Sequence, residues 1–494
     1  MPLWFRFLHT ADLHLASPVQ ALAEESEAIQ ARLAGAVLST WERIVQAAID
    51  ARVEFVLIAG DIYDSATPSL RAQVRFRDGV QTLDRHGIAV YVVRGNHDHL
   101  GAQTARLQWP GNLHVFGGEQ PECVVHRGPG GLPLAEIWGI SFQQRQESRN
   151  LAAALGRASA GGPGREKLRL PSQPAAAPPC RIALLHANVG GHTAHADDAP
   201  CQLSDLLDQP FDYWALGHIH APQILHPQTP LVVYPGIPQG RDAGEAGPRG
   251  VYLVSVYGED SGRLRLEARF LPVAAVRWEV QTVDAGGIDS EEALLQRLDE
   301  AKEAARQGPE APEAPRSLAS GPPPGLPGES GGTPDPSPAP TLALAPPPDP
   351  AASPAVVRLV VQGATPLYGL LQSPEALAAL AEQLRAGEDS RPDFAWVESI
   401  QSQARPALDL PRIQASATFA GEFVRQIGLA LEAVPDGASA VLGAASPAPP
   451  GAAPIPALDL DRRLRRWLKP EDLPLRALLE EARDLALDLL EGRR

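Results

Sequence analysis

The chain has 494 residues, 44% of them hydrophobic, which suits two to three domains with at least one sizeable core. Its formal net charge of −16 argues against a simple nucleic-acid coat protein. No apolar run approaches the ~20 residues of a membrane helix. The N-terminus, MPLWFRFLHTADLH, has no basic leader before a long apolar core. Cys123, Cys180 and Cys201 lie far apart, without metal-type spacing, and read as reduced thiols of a cytoplasmic protein. The acidity is uneven. Residues 1–272 carry 23 basic and 27 acidic side chains, and the remainder carries 20 and 32. A nucleic-acid substrate at a local site is therefore not excluded.

In chain order, WFRFLHTADLH predicts a strand. RLAGAVLSTWERIVQAAIDAR then places Leu33, Val37, Trp41, Ile44, Val45 and Ala48 at helical spacing. VEFVLIAGDIYD and IAVYVVRGNHDH are further strands. A Gly/Pro/Ala-rich insertion near 157–180 reads as a mobile surface loop. RIALLHANVG and DYWALGHIH are strands again. PLVVYPGIP and GVYLVSVYGEDSGRLRLEARFLPV read as antiparallel strands, with a Gly-Glu-Asp-Ser-Gly turn. Several runs are continuously apolar, the pattern of strands buried on both faces. Their alternation with helices predicts a layered α/β domain over 1–272.

Beyond it, a strand near Val276–Glu279 and a helix over SEEALLQRLDEAKEAAR occupy 273–306. A Pro/Gly/Ala-rich tract over 307–355 cannot bury enough apolar surface to fold and reads as a disordered linker. Structure resumes at AVVRLVVQGATPL. A helix with Ser373 as N-cap, a strand DFAWVESIQ and a helix near SATFAGEFVRQIGLALEAV follow. Residues 273–306 and 356–435 thus form one small α+β domain. A flexible spacer at 436–457 leads to a helical tail, 458–494. Its apolar face of Leu475, Leu478, Leu479, Ala482, Leu485 and Leu489 packs on its own domain or docks a partner helix.

The ends of the five strands carry the chemistry. They finish in Asp12-Leu-His14, Gly60-Asp61-Ile-Tyr-Asp64, Gly95-Asn96-His97-Asp98, His186 and Gly217-His218-Ile-His220. Open α/β sheets bind ligands beyond the carboxyl ends of their strands. His218 and His220 alternate, so on an extended chain they point to one side. Each motif alone has a bland reading as a turn or a satisfied core residue. All five in order do not. A mixed carboxylate, amide and imidazole set suits Mn²⁺, Fe²⁺ or Zn²⁺ rather than Ca²⁺. Seven donors exceed the needs of one hydrated ion, and two ions sharing a carboxylate are the natural arrangement. Such a pair can activate water and clamp a phosphoryl group. His99, His192 and His195 read as solvated loop residues. Arg94 and Arg241 could meet phosphate, but a structural ion pair is the simpler reading.

Together these blocks resemble the signature of the calcineurin-like metallophosphoesterases, over roughly residues 5–272. FLHTADLHLASP, FVLIAGDIYD, YVVRGNHD, DYWALGHIH and YPGIPQGR are similar to the bacterial SbcD/YhaO-type DNA repair nucleases in particular. The resemblance implies a layered β-sandwich flanked by helices, followed by a small α+β capping domain and the helical tail. It implies that Asp12, His14, Asp61 and His220 hold one ion and that Asp61, Asn96, His186 and His218 hold the other, with Mn²⁺ the first expectation. His97 would then be the non-ligand histidine assisting departure of the 3′ oxygen. Asp64 and Asp98 would orient ligands or His97. The expected function is hydrolysis of DNA phosphodiesters by an exonuclease or endonuclease. The expected partners are DNA, a separately encoded SMC-like coiled-coil (SbcC-like) ATPase and a second copy of the chain. The alternatives are a small-molecule phosphodiesterase or phosphatase, and a DNA-binding scaffold subunit with weak catalysis.

Overall fold

The continuously apolar strands have two cores to fill, one on each face. The computed structural model describes residues 4–15, 17, 26–64, 68–102, 104–161, 179–191, 198–258, 263–308, 353–408 and 410–432, with residues 480, 483, 486 and 487. Most of the expected linker, the 436–457 spacer and most of the expected tail lie outside them. So do His192, His195 and most of the 157–180 insertion.

The chain begins with β1 (Trp4–Thr10), α1 (Glu27–Asp50), β2 (Phe55–Ala59), α2 (Leu70–Arg85), β3 (Ala89–Val93) and β4 (Leu113–Val115). It continues through β5 (Glu122–Arg127), β6 (Pro133–Gly139), α3 (Leu151–Ser159), β7 (Cys180–His186), α4 (Leu203–Leu207) and β8 (Tyr213–Gly217). Next come β9 (Gln223–His226), β10 (Leu231–Tyr234), β11 (Gly250–Gly258) and β12 (Leu264–Pro272). One six-stranded sheet has the order β12-β11-β1-β2-β3-β4, and another has β5-β6-β7-β8-β10-β9. Strands β1 to β4 are mutually parallel in the first sheet, as are β6, β7, β8 and β10 in the second.

The alternation hidden in each apolar run sorts its side chains between layers. On β1 and β2, Phe5, Phe7, Phe55 and Leu57 join Tyr213 and Ala215 of β8 in one core between the sheets. Leu8, Val56 and Ile58 face the other way, onto Val37, Trp41, Ile44 and Val45 of α1 and Phe76 of α2. Trp214 and Leu216 of β8 likewise pack against Leu151 and Leu155 of α3 and Leu206 of α4. The result is a helix–sheet–sheet–helix sandwich, the layered arrangement that the sequence resemblance implied. Every apolar residue expected on the core face of α1 is buried. At the centre, the rings of Phe7 and Phe55 stack at 5.2 Å, and Tyr213 meets Phe7 edge-on at 5.2 Å. Burying each such ring contributes about 1.5–3 kcal/mol.

One pairing differs from the sequence expectation. PLVVYPGIP forms β10, which runs parallel to β8 and antiparallel only to the short β9. The pair β5–β6 also escaped notice, because β5 is a half-buried edge strand with no clean alternation.

The later elements are β13 (Arg277–Asp284), α5 (Glu291–Gln307), β14 (Ala355–Thr365), α6 (Tyr368–Leu371), α7 (Pro374–Arg385), β15 (Ala395–Pro406), α8 (Leu410–Ala415) and α9 (Phe419–Glu432). Strands β13, β14 and β15 form a third sheet in that order. By compactness, Met1–Gln281, Lys302–Arg358 and Leu384–Glu398 fall in one unit, and Thr282–Ala301, Leu359–Gln383 and Ser399–Arg494 in another. Ser373 caps α7 as the sequence suggested, its Oγ accepting from Ala376 N at 3.2 Å.

Gln239, from the YPGIPQGR stretch, ties the first unit together. Its buried Oε1 accepts from Thr40 Oγ1 at 2.9 Å, Ala275 N at 2.8 Å and Val276 N at 3.2 Å. Its Nε2 donates to Gly240 O at 2.9 Å and Val276 O at 2.8 Å. A near-isosteric Gln239→Leu change removes both the acceptor and the donor. We expect a loss of about 1–3 kcal/mol for each buried group left unpaired, read as a lower denaturant midpoint with an unchanged far-UV spectrum.

Candidate metal centre

The site begins with backbone. Beyond the ends of β1 and β2 the two chains stay paired, with Asp12 N donating to Gly60 O at 3.0 Å and His14 N to Asp61 O at 3.0 Å. The turns are sharp. Asp12, His14, Asp61 and His218 have φ of 51°, 42°, 50° and 105°. These are four of the six non-glycine residues with positive φ among the described residues. L-residues adopt that region at a cost of about 1–2 kcal/mol, and its concentration here marks a functional site.

Glycine is required where the strand ends meet. A Cβ on Gly217 would lie 1.8 Å from Ala59 O, joining the end of β8 to the end of β2. A Cβ on Gly95 would lie 2.2 Å from Asp61 Oδ1.

The side chains converge in three overlapping groups. Asp12, His14 and His220 offer donor atoms within 4.8 Å of one another, as do Asp12, Asp61 and His186, and as do His14, Asp64 and His97. His186 Nε2 is 3.0 Å from Asn96 Oδ1 and 3.5 Å from Asp61 Oδ2. The ring of His218 meets that of His186 edge-on at 5.1 Å, and its backbone N–H donates to both Asp12 oxygens at 3.2 and 3.1 Å. The structure thus brings the donor atoms of Asp12, His14, Asp61, Asn96, His186 and His220 together, with the His218 ring packed against that of His186.

The other expected residues have distinct places. His97 N donates to Asp61 Oδ1 at 3.0 Å, and its Nδ1 donates to Asp64 O at 3.1 Å. That fixes the proton on Nδ1 and leaves Nε2 for chemistry. Asp64 Oδ1 lies 2.9 Å from His14 Nδ1, so its carboxylate orients His14, while its carbonyl orients His97. Asp98 holds loops instead, accepting from Ile62 N at 3.0 Å, Gly95 N at 2.9 Å and Arg94 Nη1 at 3.1 Å. Arg94 and Arg241 both sit in ion pairs, with Asp98 and with Asp64 and Glu245. His99 is half-buried on the loop after β3.

Sequence reasoning missed Glu245. It lies in a short 3-10 turn, Ala243–Glu245, and its Oε1 accepts from His220 Nδ1 at 2.7 Å. The only trace in the sequence is its spacing of four from Arg241, which carries no metal signature. His9 was also passed over. It is a buried structural histidine between Tyr213 Oη at 2.9 Å and Leu216 O at 3.1 Å.

Comparison with known proteins fits this geometry. Residues 5–222 match the family model described as calcineurin-like phosphoesterase. The chain is 31% identical over 408 residues to the uncharacterized metallophosphoesterase YhaO of Bacillus subtilis, spanning 82% of this chain and 84% of that protein. The chain belongs to the calcineurin-like phosphoesterase family. It is also 24% identical to a subunit of the nuclease SbcCD of B. subtilis, over 49% of this chain and 63% of that protein. It is 24% identical to the DNA double-strand break repair protein Mre11 of Methanopyrus kandleri, over 59% of this chain and 62% of that protein.

The electrostatics of this phosphoesterase suit the two divalent cations of its family. Asp12 is fully buried, and burial raises its carboxyl to about 6. Burial and then the neighbouring Asp98 and Asp12 carboxylates push Asp61 well above the usual range. Burial lowers His14 to about 3 and holds His186 well below its usual value. Neutral imidazoles are what metal ligation requires. His186 Nδ1 donates to Ala59 O at 2.9 Å, so its Nε2 presents a lone pair toward Asn96 Oδ1, itself an acceptor. His14 Nε2 and His220 Nε2 face each other at 3.3 Å while their Nδ1 atoms meet carboxylates. Buried acceptors turned toward one another repel unless a cation lies among them.

The buried Asp12 and Asp61 carboxylates, when ionised, therefore oppose folding unless a cation offsets their charge. With chelator present, Asp61→Asn should unfold at the parent's temperature or higher, since it removes a buried charge but keeps the oxygen that accepts from His97 N. Saturating Mn²⁺ should stabilise the parent, by about 2.7 kcal/mol at a hundredfold excess over Kd, and the variant far less. Parallel melting curves with and without Mn²⁺ decide it; equal stabilisation of both proteins would refute the assignment.

Proposed function

We propose that this phosphoesterase is a DNA nuclease that hydrolyses backbone phosphodiesters with two divalent ions, Mn²⁺ first among the candidates. The observation carrying this reading is the placement of His97. Its Nδ1 is tied to the Asp64 carbonyl, and its side chain is 36% exposed, whereas the Asp12, His14 and His186 side chains are almost wholly buried. Asp12, His14, Asp61 and His220 are proposed to hold one ion, and Asp61, Asn96, His186 and His218 the other. When bound, the pair would supply Lewis acidity toward a phosphoryl oxygen and a water activated at neutral pH. As an imidazolium, with Nδ1–H still held by the Asp64 carbonyl, His97 would give its Nε2 proton to the departing 3′ oxygen and return to the neutral Nδ1–H form, a role worth about 10²–10⁴ in rate. Asp64 positions both His97, through its carbonyl, and His14, through its carboxylate.

The DNA substrate rests on the relatives named as part of a nuclease and as a double-strand break repair protein. The former is named as one subunit of its nuclease, which supports a separately encoded partner. An SMC-like ATPase is our proposal for that partner, together with a second copy of this chain. The small domain of 273–306 and 356–435 is proposed to cap the phosphoesterase domain. The tail at 458–494 is proposed to dock the ATPase. Free cysteines support a cytoplasmic site of action. No helix among the described residues is long and apolar enough to cross a membrane.

The test is cleavage of end-labelled duplex and single-stranded DNA with Mn²⁺, alongside a small chromogenic diester. The parent should cut DNA, and Asp61→Ala should abolish cutting. His97→Ala should lower kcat by about 10²–10⁴ while Mn²⁺ binding persists. Diester hydrolysis without DNA cleavage, even with the ATPase added, would move the substrate to a small molecule. Parental activity in His97→Ala would remove its assigned role.

A further inference from the structure

Arg241 was a candidate phosphate contact, but its donors are committed within the protein. Its Nη2 donates to Glu245 Oε1 at 2.9 Å and its Nε to Glu245 Oε2 at 3.3 Å. Its Nη1 donates to Asp64 Oδ1 at 3.2 Å and to Ser17 Oγ at 3.3 Å. Ser17 Oγ in turn donates to Asp64 Oδ2 at 3.1 Å. One guanidinium therefore spans two carboxylates. Each carboxylate faces the Nδ1 of a different imidazole, Asp64 Oδ1 lying 2.9 Å from His14 Nδ1 and Glu245 Oε1 accepting from His220 Nδ1 at 2.7 Å. The two Nε2 atoms are left aimed at one point, 3.3 Å apart. The backbone beneath is fixed as well. Arg241 N donates to Glu245 Oε2 at 2.9 Å, Arg249 Nε donates to Glu245 O at 2.8 Å, and Arg249 Nη1 donates to His220 O.

His186 is held differently. Its Nδ1 donates to a main-chain carbonyl, that of Ala59, at 2.9 Å. The two halves of the centre thus use separate supports, one a side-chain ion network and the other backbone.

We infer that Asp64, Arg241 and Glu245 act as a single brace that sets both imidazoles of the Asp12–His14–His220 group, and so governs the affinity of that ion alone. This rests on the two-ion reading of the centre. The residues of the brace are positioning residues, acting through His14 and His220. Arginine is needed because its planar fork can engage two carboxylates at once, which a lysine ammonium on a single stem does not reproduce. Partners that orient metal-bound histidines are worth about 10- to 100-fold in metal affinity.

The experiment is Mn²⁺ binding to the full chain by equilibrium dialysis, with electron paramagnetic resonance to separate paired from single ions. Parent, Glu245→Gln and Arg241→Ala are compared, with His220→Ala and His186→Ala identifying each ion. Glu245→Gln keeps the volume and an acceptor for His220 Nδ1 but loses the charge that Arg241 grips. Each brace variant should bind one ion as the parent does and the other about 10- to 100-fold more weakly, matching the ion lost in His220→Ala. A folded Glu245→Gln that binds both ions with parental affinity overturns the brace, as does equal weakening of both. Should Arg241→Ala not fold by circular dichroism, Glu245→Gln decides alone. A parent that binds fewer than two Mn²⁺ overturns the two-ion reading itself, a result distinct from failure of the brace.

Discussion

The carbonyl of Ala59 is where the two sheets are pinned together. It accepts from His186 Nδ1 at the end of β7, and the bare Cα of Gly217 at the end of β8 packs against it. A single oxygen at the end of β2 thus sets the approach of two strands from the opposite sheet. The convergence of the candidate donors depends on that approach. Asp12 and Asp61 come from one sheet, and His186, His218 and His220 come from the other. Were the sheets separated by one methyl group, the donors would no longer share a centre. Interiors are close-packed and transmit such strain, so Gly217 is required both for the sheets to meet and for the donors they carry to converge.

How much of this was legible follows from the kind of signal each residue leaves. The donor-bearing strand ends were legible because apolar runs stop abruptly at carboxylates and imidazoles, a juxtaposition that packing alone does not favour. The layered α/β domain was legible from the same runs. Their division between two cores was not, because Phe7 and Leu8, or Tyr213 and Trp214, are equally apolar yet face opposite layers. The parallel seating of β10 was hidden for a related reason. Four apolar residues state burial but not direction. Glu245 was invisible because its function is set by a 3-10 turn that returns the chain to His220, and turns of that kind have no periodicity. Arg241 was visible as a charge, but only geometry could choose between phosphate and protein as its partner.

The centre also shows why a functional site costs stability. Burial penalises the charged form of Asp12, Asp61 and Asp64 alike. Asp64 has His14 and Arg241 to offset this, and its carboxyl falls to about 2. At Glu245, bonds from His220 and Arg241 likewise outweigh burial and hold the carboxyl below its usual range. Among the described residues, the nearest bases to Asp12 and Asp61 are the histidines His186 and His14, 3.5–4.0 Å away and themselves held low by burial, and both carboxyls rise instead. The difference separates the carboxylates beside imidazoles that the protein itself neutralises from those that face the candidate centre and are not so neutralised. Ligands already neutralised by the protein would bind metal poorly, so the imbalance at Asp12 and Asp61 is what the proposed two-ion centre requires.

The same logic bears on the proposal that an acidic chain acts on a polyanion. Its net charge of −16 would oppose association if charge acted at any distance. In physiological salt the range is only about 8 Å. What a backbone phosphate meets is the local field, and over residues 1–272 the formal charge is only −4. Two divalent cations would cancel that charge and concentrate four positive charges at the strand ends. Arg94 and Arg241 add little toward substrate, because both are paired to carboxylates. On this reading the cations, rather than a basic surface, draw the phosphate in, and substrate affinity is coupled to occupancy of the centre. The acidity of the remaining chain is then free to serve solubility without weakening the site.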